Sequence, residues 1–243
     1  MRVRAGLRVE PDFHLRLVIA LAAIETRDGE YDQALAYLSE VRGLAERLDD
    51  RRRATYLFDL ANSYRETGDY EASVRAGSAS LALFTAMQAG AETAALENDL
   101  ALVFLKLGNV SRANELVSSA RARFEALGDD RWLAHVADTE AQIALAGSAF
   151  DRAAALAEQA IVGAEQTGNQ KALISALVTR AQIRQQLGDA ASADGDFARA
   201  ADLARASGSR GRIREVLGAW SEMVAESGDL RRAYDLTREA LSV

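Results

Sequence analysis

The sequence predicts an all-α protein built as a solenoid of about six helical hairpins. Three observations carry that prediction: a turn residue that returns about every 40 positions, two columns of small residues tied to the same count, and the lack of any alternating strand pattern. The turn residues are Gly29, Gly68, Gly108, Ser148, Gly188 and Gly228. Seven positions before them stand Ala22, Ala61, Ala101, Ala141, Ala181 and Ser221, and five positions after them Ala34, Ser73, Ala113, Ala153, Ala193 and Ala233.

Each hairpin is justified by the phrase at its turn. The first is "DGEYDQA" at 28–34, the second "TGDYEAS" at 67–73, and the third "LGNVSRA" at 107–113. The fourth turns at Ser148, the fifth at "LGDAASA" (187–193), and the last at "SGDLRRA" (227–233). Glycine at the turn suits the left-handed residue that ends a helix. Small residues on both sides let two antiparallel helices approach where a larger side chain would force strain. Two positions past the turn, Tyr31, Tyr70, Val110, Phe150, Ala190 and Leu230 form a mostly large apolar column suited to plug one hairpin against the next.

A second turn series, "LDD" at 48–50 and then Gly90, Gly128, Gly168 and Gly208, splits every repeat into two helices of about 15–18 residues. The expected organisation is an extension over 1–14, then repeats over about 15–52, 53–92, 93–132, 133–172, 173–212 and 213–243, with about twelve helices in all.

The pattern small-x-x-aromatic-x-x-x-Gly-x-aromatic-x-x-Ala is read in Ala61, Tyr64, Gly68 and Tyr70, and again in Ala101, Phe104, Gly108 and Ala113. In this it resembles the tetratricopeptide repeat (TPR), and the resemblance covers about residues 15–243. It implies a TPR-like α-solenoid, a right-handed superhelix. The chain departs from the 34-residue form in its longer period and in having Gly where the usual Pro stands between repeats, Pro11 being the only proline. HEAT repeats share the period but lack the Gly-x-aromatic-x-x-Ala turn. Long TPRs of this kind resemble the sensor domains of bacterial transcription regulators, among them peptide-pheromone receptors of Gram-positive bacteria and MalT-like arrays. The closing stretch "VLGAWSEMVAESGDLRRAYDLTREALSV" also resembles the last repeat of regulators that carry a helix-turn-helix domain before their TPRs. Residues after about 15 are all spent on repeats, so the chain reads as the sensor fragment of such a regulator or as a free-standing relative.

Composition narrows the function. With 243 residues, 49% of them apolar, the chain can bury a substantial core. There is no Cys, hence no disulfide framework or thiolate chemistry, which suits a cytoplasmic protein. No apolar run approaches the ~18 residues of a membrane span, and the N-terminal stretch "MRVRAGLRVEPDFHLRL" lacks the apolar core of a signal peptide. A net charge of −7 without a basic face argues against direct nucleic-acid contact, and "RRR" at 51–53 reads as solvated arginines at a helix start. The only histidines, His14 and His135, have no metal-ligand spacing around them, and no phosphate loop, HExxH or nucleophile elbow is present. The expectation is therefore a non-enzymatic protein without cofactor or metal.

The TPR resemblance implies that ligands lie along the first helix of each hairpin. Counting back from the turns gives Phe58, Asn62 and Arg65, then Asn98, Leu102 and Leu105, then His135, Asp138 and Gln142. Repeat five adds Val178, Gln182 and Gln185, and repeat six Glu215 and Glu222. Stacked amides offer donors and acceptors that satisfy an extended peptide backbone without reading its sequence, although amides on a wet face also serve solubility alone. The Lys/Asn clamp for a C-terminal carboxylate is not reproduced, since Phe58 and Asp138 stand where cations would be wanted. In the last helix Tyr234 and Leu241 share a face that earlier repeats would cover, which makes it a candidate homodimer face or a site for an outside partner. The readings in competition are a peptide-binding sensor, a free-standing scaffold that holds proteins together without a small ligand, and an enzyme that would depend on His135 or Asp138.

Overall fold

The computed structural model describes residues 11–243, and everything below refers to them. They form thirteen helices and no strand. The chain divides into two compact units, Met1–Met87 and Gln88–Val243. The first contains α1 (Pro11–Asp28), α2 (Tyr31–Glu40), α3 (Arg42–Ala45), α4 (Asp50–Glu66) and α5 (Tyr70–Ala86). The second contains α6 (Gly90–Lys106), α7 (Val110–Leu127), α8 (Asp130–Ala146), α9 (Phe150–Gln166), α10 (Gln170–Gln186), α11 (Ala190–Ser207), α12 (Arg210–Glu226) and α13 (Leu230–Ser242). The extension expected over 1–14 lies outside the described residues as far as residue 10, and α1 begins at Pro11, a residue whose fixed φ and missing N–H suit a first helical position.

The turns are made by two adjacent residues with separate tasks. Glycine takes a left-handed φ, as at Gly68 (85°), Gly108 (76°) and Gly188 (81°). Its neighbour, an Asp or Asn, then accepts a bond from a backbone N–H three residues on: Asp69 from Ala72, Asn109 from Arg112, Asp189 from Ser192, Asp229 from Arg232. At the third turn the Gly108 and Asn109 N–H groups close back onto the carbonyls of Leu105 (3.0 Å) and Phe104 (2.8 Å), so the ending helix is satisfied as the next begins.

Two turn positions are held by residues other than glycine. Ser148 (φ 56°) occupies the fourth hairpin turn and Gln88 (φ 55°) the link between α5 and α6. The second turn series expected Gly90 in that role. Gly90 instead opens α6, and the left-handed residues run Gln88, Gly128, Gly168 and Gly208 at a constant interval of 40. A thirteenth helix arises because the second helix of the first hairpin breaks at Val41 (φ −98°, ψ 5°), two residues before Gly43, the poorest helix former in that stretch.

The small-residue columns meet at the crossings. Ala22, Ala101, Ala141 and Ala181 are wholly buried, as are their partners Ala34, Ala113, Ala153 and Ala193. In the second hairpin the Ser73 hydroxyl donates across the crossing to the carbonyl of Ala61 (2.7 Å). The apolar column past the turn is half-buried at Tyr31, Tyr70, Val110 and Phe150 and exposed at Ala190 and Leu230.

In the first unit Leu15, Val18, Leu38, Val41, Tyr56 and Leu60 form the core, and the Tyr56 hydroxyl reaches the carbonyl of Leu38 (3.0 Å). In the second unit a continuous core runs from α8 to α13 around Leu177, Phe197, Val216 and Leu217. Complete burial of Phe124 and Phe197 contributes about 1.5–3 kcal/mol each. Ion pairs tie successive helices together at the edge of this core. Arg121 of α7 meets Glu140 of α8, and Arg180 of α10 meets both Asp196 of α11 (2.6 Å) and Glu158 of α9 (2.6 Å).

Candidate functional site

The first helices α4, α6, α8, α10 and α12 carry the residues nominated for the groove. Phe58, Asn62 and Arg65 are half-buried on α4 of the first unit, where Arg65 is ion-paired with Glu66 (2.6 Å). The other nominated residues belong to the second unit, and there they fall into two groups of different character.

Around α8 the polar side chains are buried and largely committed to one another. Asp138 is 4% exposed, and its Oδ2 accepts from the Ser175 hydroxyl (2.6 Å) and from Gln142 Nε2 (3.1 Å). Burial pushes the Asp138 carboxyl above the ordinary carboxylate range, opposed by the hydroxyls of Ser175 and Thr179 and the amide of Gln142. The Oδ1 of Asp138 and the Oδ1 of Asn98, one repeat earlier at the same register, are buried without a hydrogen-bond partner among the described residues. Leu102 and Leu105 are half-buried beside Asn98 on α6.

His135 has a settled protonation state. Asn169 caps α10 through its Oδ1, which accepts from the Ala172 N–H (3.3 Å). Its amide nitrogen is left with two hydrogens, aimed at the Arg131 carbonyl (3.2 Å) and at His135 Nε2 (3.1 Å). His135 Nε2 must therefore accept, so the ring is neutral with its proton on Nδ1. Burial, reinforced by the Lys171 cation, lowers its pKa to about 4. Trp132 leans against the ring at 5.1 Å and is itself stacked on Phe124 at 5.2 Å. His135 thus joins α8 to the start of α10. His14, on α1, contacts Glu40 (3.1 Å).

Around α10 and α12 the arrangement is open. Gln182, Gln185 and Glu222 line one cleft of ≈ 310 Å³ together with Gln186, Glu226 and the apolar Leu145 and Met223. Gln185 donates to Glu226 across it. Amide donors and acceptors, two exposed carboxylates and a short apolar floor can accept a backbone segment and a neighbouring cation. Val178 is half-buried on the same helix, and Glu215 is exposed on α12.

Sequence reasoning missed Ser175, Leu145 and Glu226. Ser175 was within reach of the count, standing thirteen positions before Gly188 as His135 stands thirteen before Ser148. Among the described residues no group of His, Asp and Glu is arranged to hold a metal ion, and no helix is long and apolar enough to cross a membrane.

The fold agrees with comparisons to known proteins. Residues 15–86 match the tetratricopeptide repeat family model. No curated protein matches the sequence. Among solved structures, the Rap conjugation gene regulator of the plasmid pLS20 in complex with the Phr* peptide aligns over 100% of this chain and 79% of its own, at TM-score 0.74 and 11% identity. NprR in complex with its cognate peptide NprX aligns over 99% and 68%, at TM-score 0.72 and 11% identity. BtubC from P. vanneervenii aligns over 82% and 84%, at TM-score 0.60 and 19% identity. At these identities the likeness is one of fold.

Proposed function

We propose that this chain, whose residues 15–86 match the tetratricopeptide repeat model, is the sensor or interaction module of a bacterial transcription regulator, taking an extended peptide or protein segment along the first helices of its second unit. The fold is an interaction scaffold. The observation that carries the reading is the cleft between α10 and α12, where Gln182, Gln185 and Glu222 converge over Leu145 and Met223. The similarity to Rap and NprR, both solved with peptides, supports it. In this reading the protein works in the cytoplasm and touches no nucleic acid itself. The amides hold the backbone of the segment, and Glu222 and Glu226 favour a basic side chain or an N-terminal amine.

The test is native mass spectrometry of the protein purified gently from its own cells. A retained peptide-sized mass is expected, and it should be lost when Gln182 and Gln185 are both changed to Ala. A mass that survives this double change, or a protein that never carries a ligand, would refute binding in this cleft. A second reading, a scaffold that assembles proteins without a small ligand, is favoured by the exposed Leu17 and Ile24 of α1 and Leu241 of α13. It predicts a stable second protein in the same spectrum.

A further inference from the structure

The first and last helices of the described residues each expose an apolar stripe where the repeat register places core. On α1, Phe13, Leu17 and Ile24 are 59%, 47% and 44% exposed, and Ala20 between them is exposed as well. Twelve positions before its turn, Leu17 stands at the register of Val136, Ala176 and Val216, each 0% exposed. Five positions before the turn, Ile24 stands at that of Ile143, Ile183 and Met223, all buried. On α13 the same comparison holds for the other side of a junction. Leu241 is 80% exposed, while its register-mates Ile161 and Ala201 are buried. Thr237 is exposed where Phe197 and Ala157 are wholly buried.

The register-mates show what each stripe is shaped to meet. α9 packs on α10 and α11 packs on α12. Ile161 and Ala201 from the second-helix side share one core with Ala176, Val216 and Met223 from the first-helix side. Leu241 and Thr237 are thus half of such a junction, and Leu17 and Ile24 are the other half. Tyr234 (65% exposed) fits the same description: its register-mate Asp194 bonds to Trp220 (2.8 Å) and Arg232 (2.7 Å) of the following hairpin. Apolar surface left in a stripe marks an interaction site.

We propose that the α13 face of one copy receives the α1 face of a second copy, so that the chains join head to tail through a junction of the same kind as α9–α10 and α11–α12. The contact is heterologous, so each copy offers one donor face and one acceptor face, and association continues beyond two copies. This differs from a two-fold dimer through the C-terminal repeat, in which α13 would meet α13 and α1 would stay bare. The proposal is independent of the α10–α12 cleft.

Sedimentation velocity of the 243-residue chain over a wide concentration range provides the test, with Leu17→Glu and Leu241→Glu as variants. Both residues are exposed, and circular dichroism should show both variants folded as the unaltered chain. The unaltered chain should grow past the dimer as concentration rises. Each variant alone should stay monomeric, and an equimolar mixture should give a dimer and nothing larger, because one intact α13 face then meets one intact α1 face. A chain that is monomeric at every concentration would overturn the proposal. So would a Leu17→Glu variant that still dimerises, together with a mixture that yields no new species, which is the pattern of a two-fold α13 interface.

Discussion

Replacing Ala141 by Leu adds three carbons at the crossing of α8 and α9. Ala141 is 0% exposed and belongs to a small cluster with Ala144, Ala153, Ala157 and Ile183, and its opposite number Ala153 is also 0% exposed. If the crossing had room, three further buried carbons would raise stability by about 2 kcal/mol. Helices that meet through alanine lie near the short end of the usual interaxial range of about 8–10 Å, so the added carbons must push the axes apart or twist a rotamer, at a cost of about 1–3 kcal/mol. The two arguments predict opposite signs, and a single experiment separates them. In urea unfolding followed by helical circular dichroism, Ala141→Leu should lose about 1–3 kcal/mol. Ala122→Leu, on the exposed side of α7, should stay within about 0.5 kcal/mol of the unaltered chain. Ala141→Ser serves as a second control, because Ser73 is accommodated in the facing column by a bond to a carbonyl across the crossing. An Ala141→Leu protein as stable as the unaltered one, or more stable, would refute the claim that close helix approach is what the small columns provide.

Ser148 holds a left-handed φ of 56° that glycine takes at the other hairpin turns, so Ser148→Gly should stabilise the chain by about 0.5–1 kcal/mol, read as a raised denaturation midpoint. His135 is neutral when folded with a pKa of about 4, whereas the unfolded imidazole titrates at 6.5; its contribution is therefore complete above pH 6.5 and lost as the pH falls toward 4. The stability advantage of the unaltered chain over His135→Gln should shrink across that window, by up to about 3 kcal/mol. Asp59 runs the other way. Burial raises its carboxyl to about 7 from 3.8, so the folded state keeps a proton that the unfolded state gives up, and stability falls as the pH climbs between those values. Asp59→Asn should remove that loss and be more stable than the unaltered chain at pH 8, by no more than about 4 kcal/mol. In the cleft, Glu222→Lys should leave the melting temperature unchanged, since the side chain is exposed, yet weaken capture of any basic segment in a salt-dependent way by titration calorimetry.

The repeat is legible in the sequence because its signals are local and recur. A residue able to take a left-handed φ, an Asp or Asn to cap the next helix, and a small residue on each side of the crossing are chemical requirements of one hairpin, and they must be met again at every turn. Register then followed from counting, which placed Ala141 against Ala153 and Gln182 beside Gln185 on an open face. What counting could not show was how far each polar side chain would sink. Counting places Asn98 and Asp138 on a groove face, and only the packing of α6 and α8 against their neighbours buries them, since burial depends on what lies opposite in space. His135 was equally ambiguous in sequence. Its tautomer was decided by Asn169, thirty-four residues away, whose cap on α10 left only a donor to offer the ring. The tertiary structure also drew Leu145, Met223 and Glu226 into a cleft with amides from another repeat and left Leu17, Ile24 and Leu241 uncovered, because both outcomes depend on which helix comes next in space.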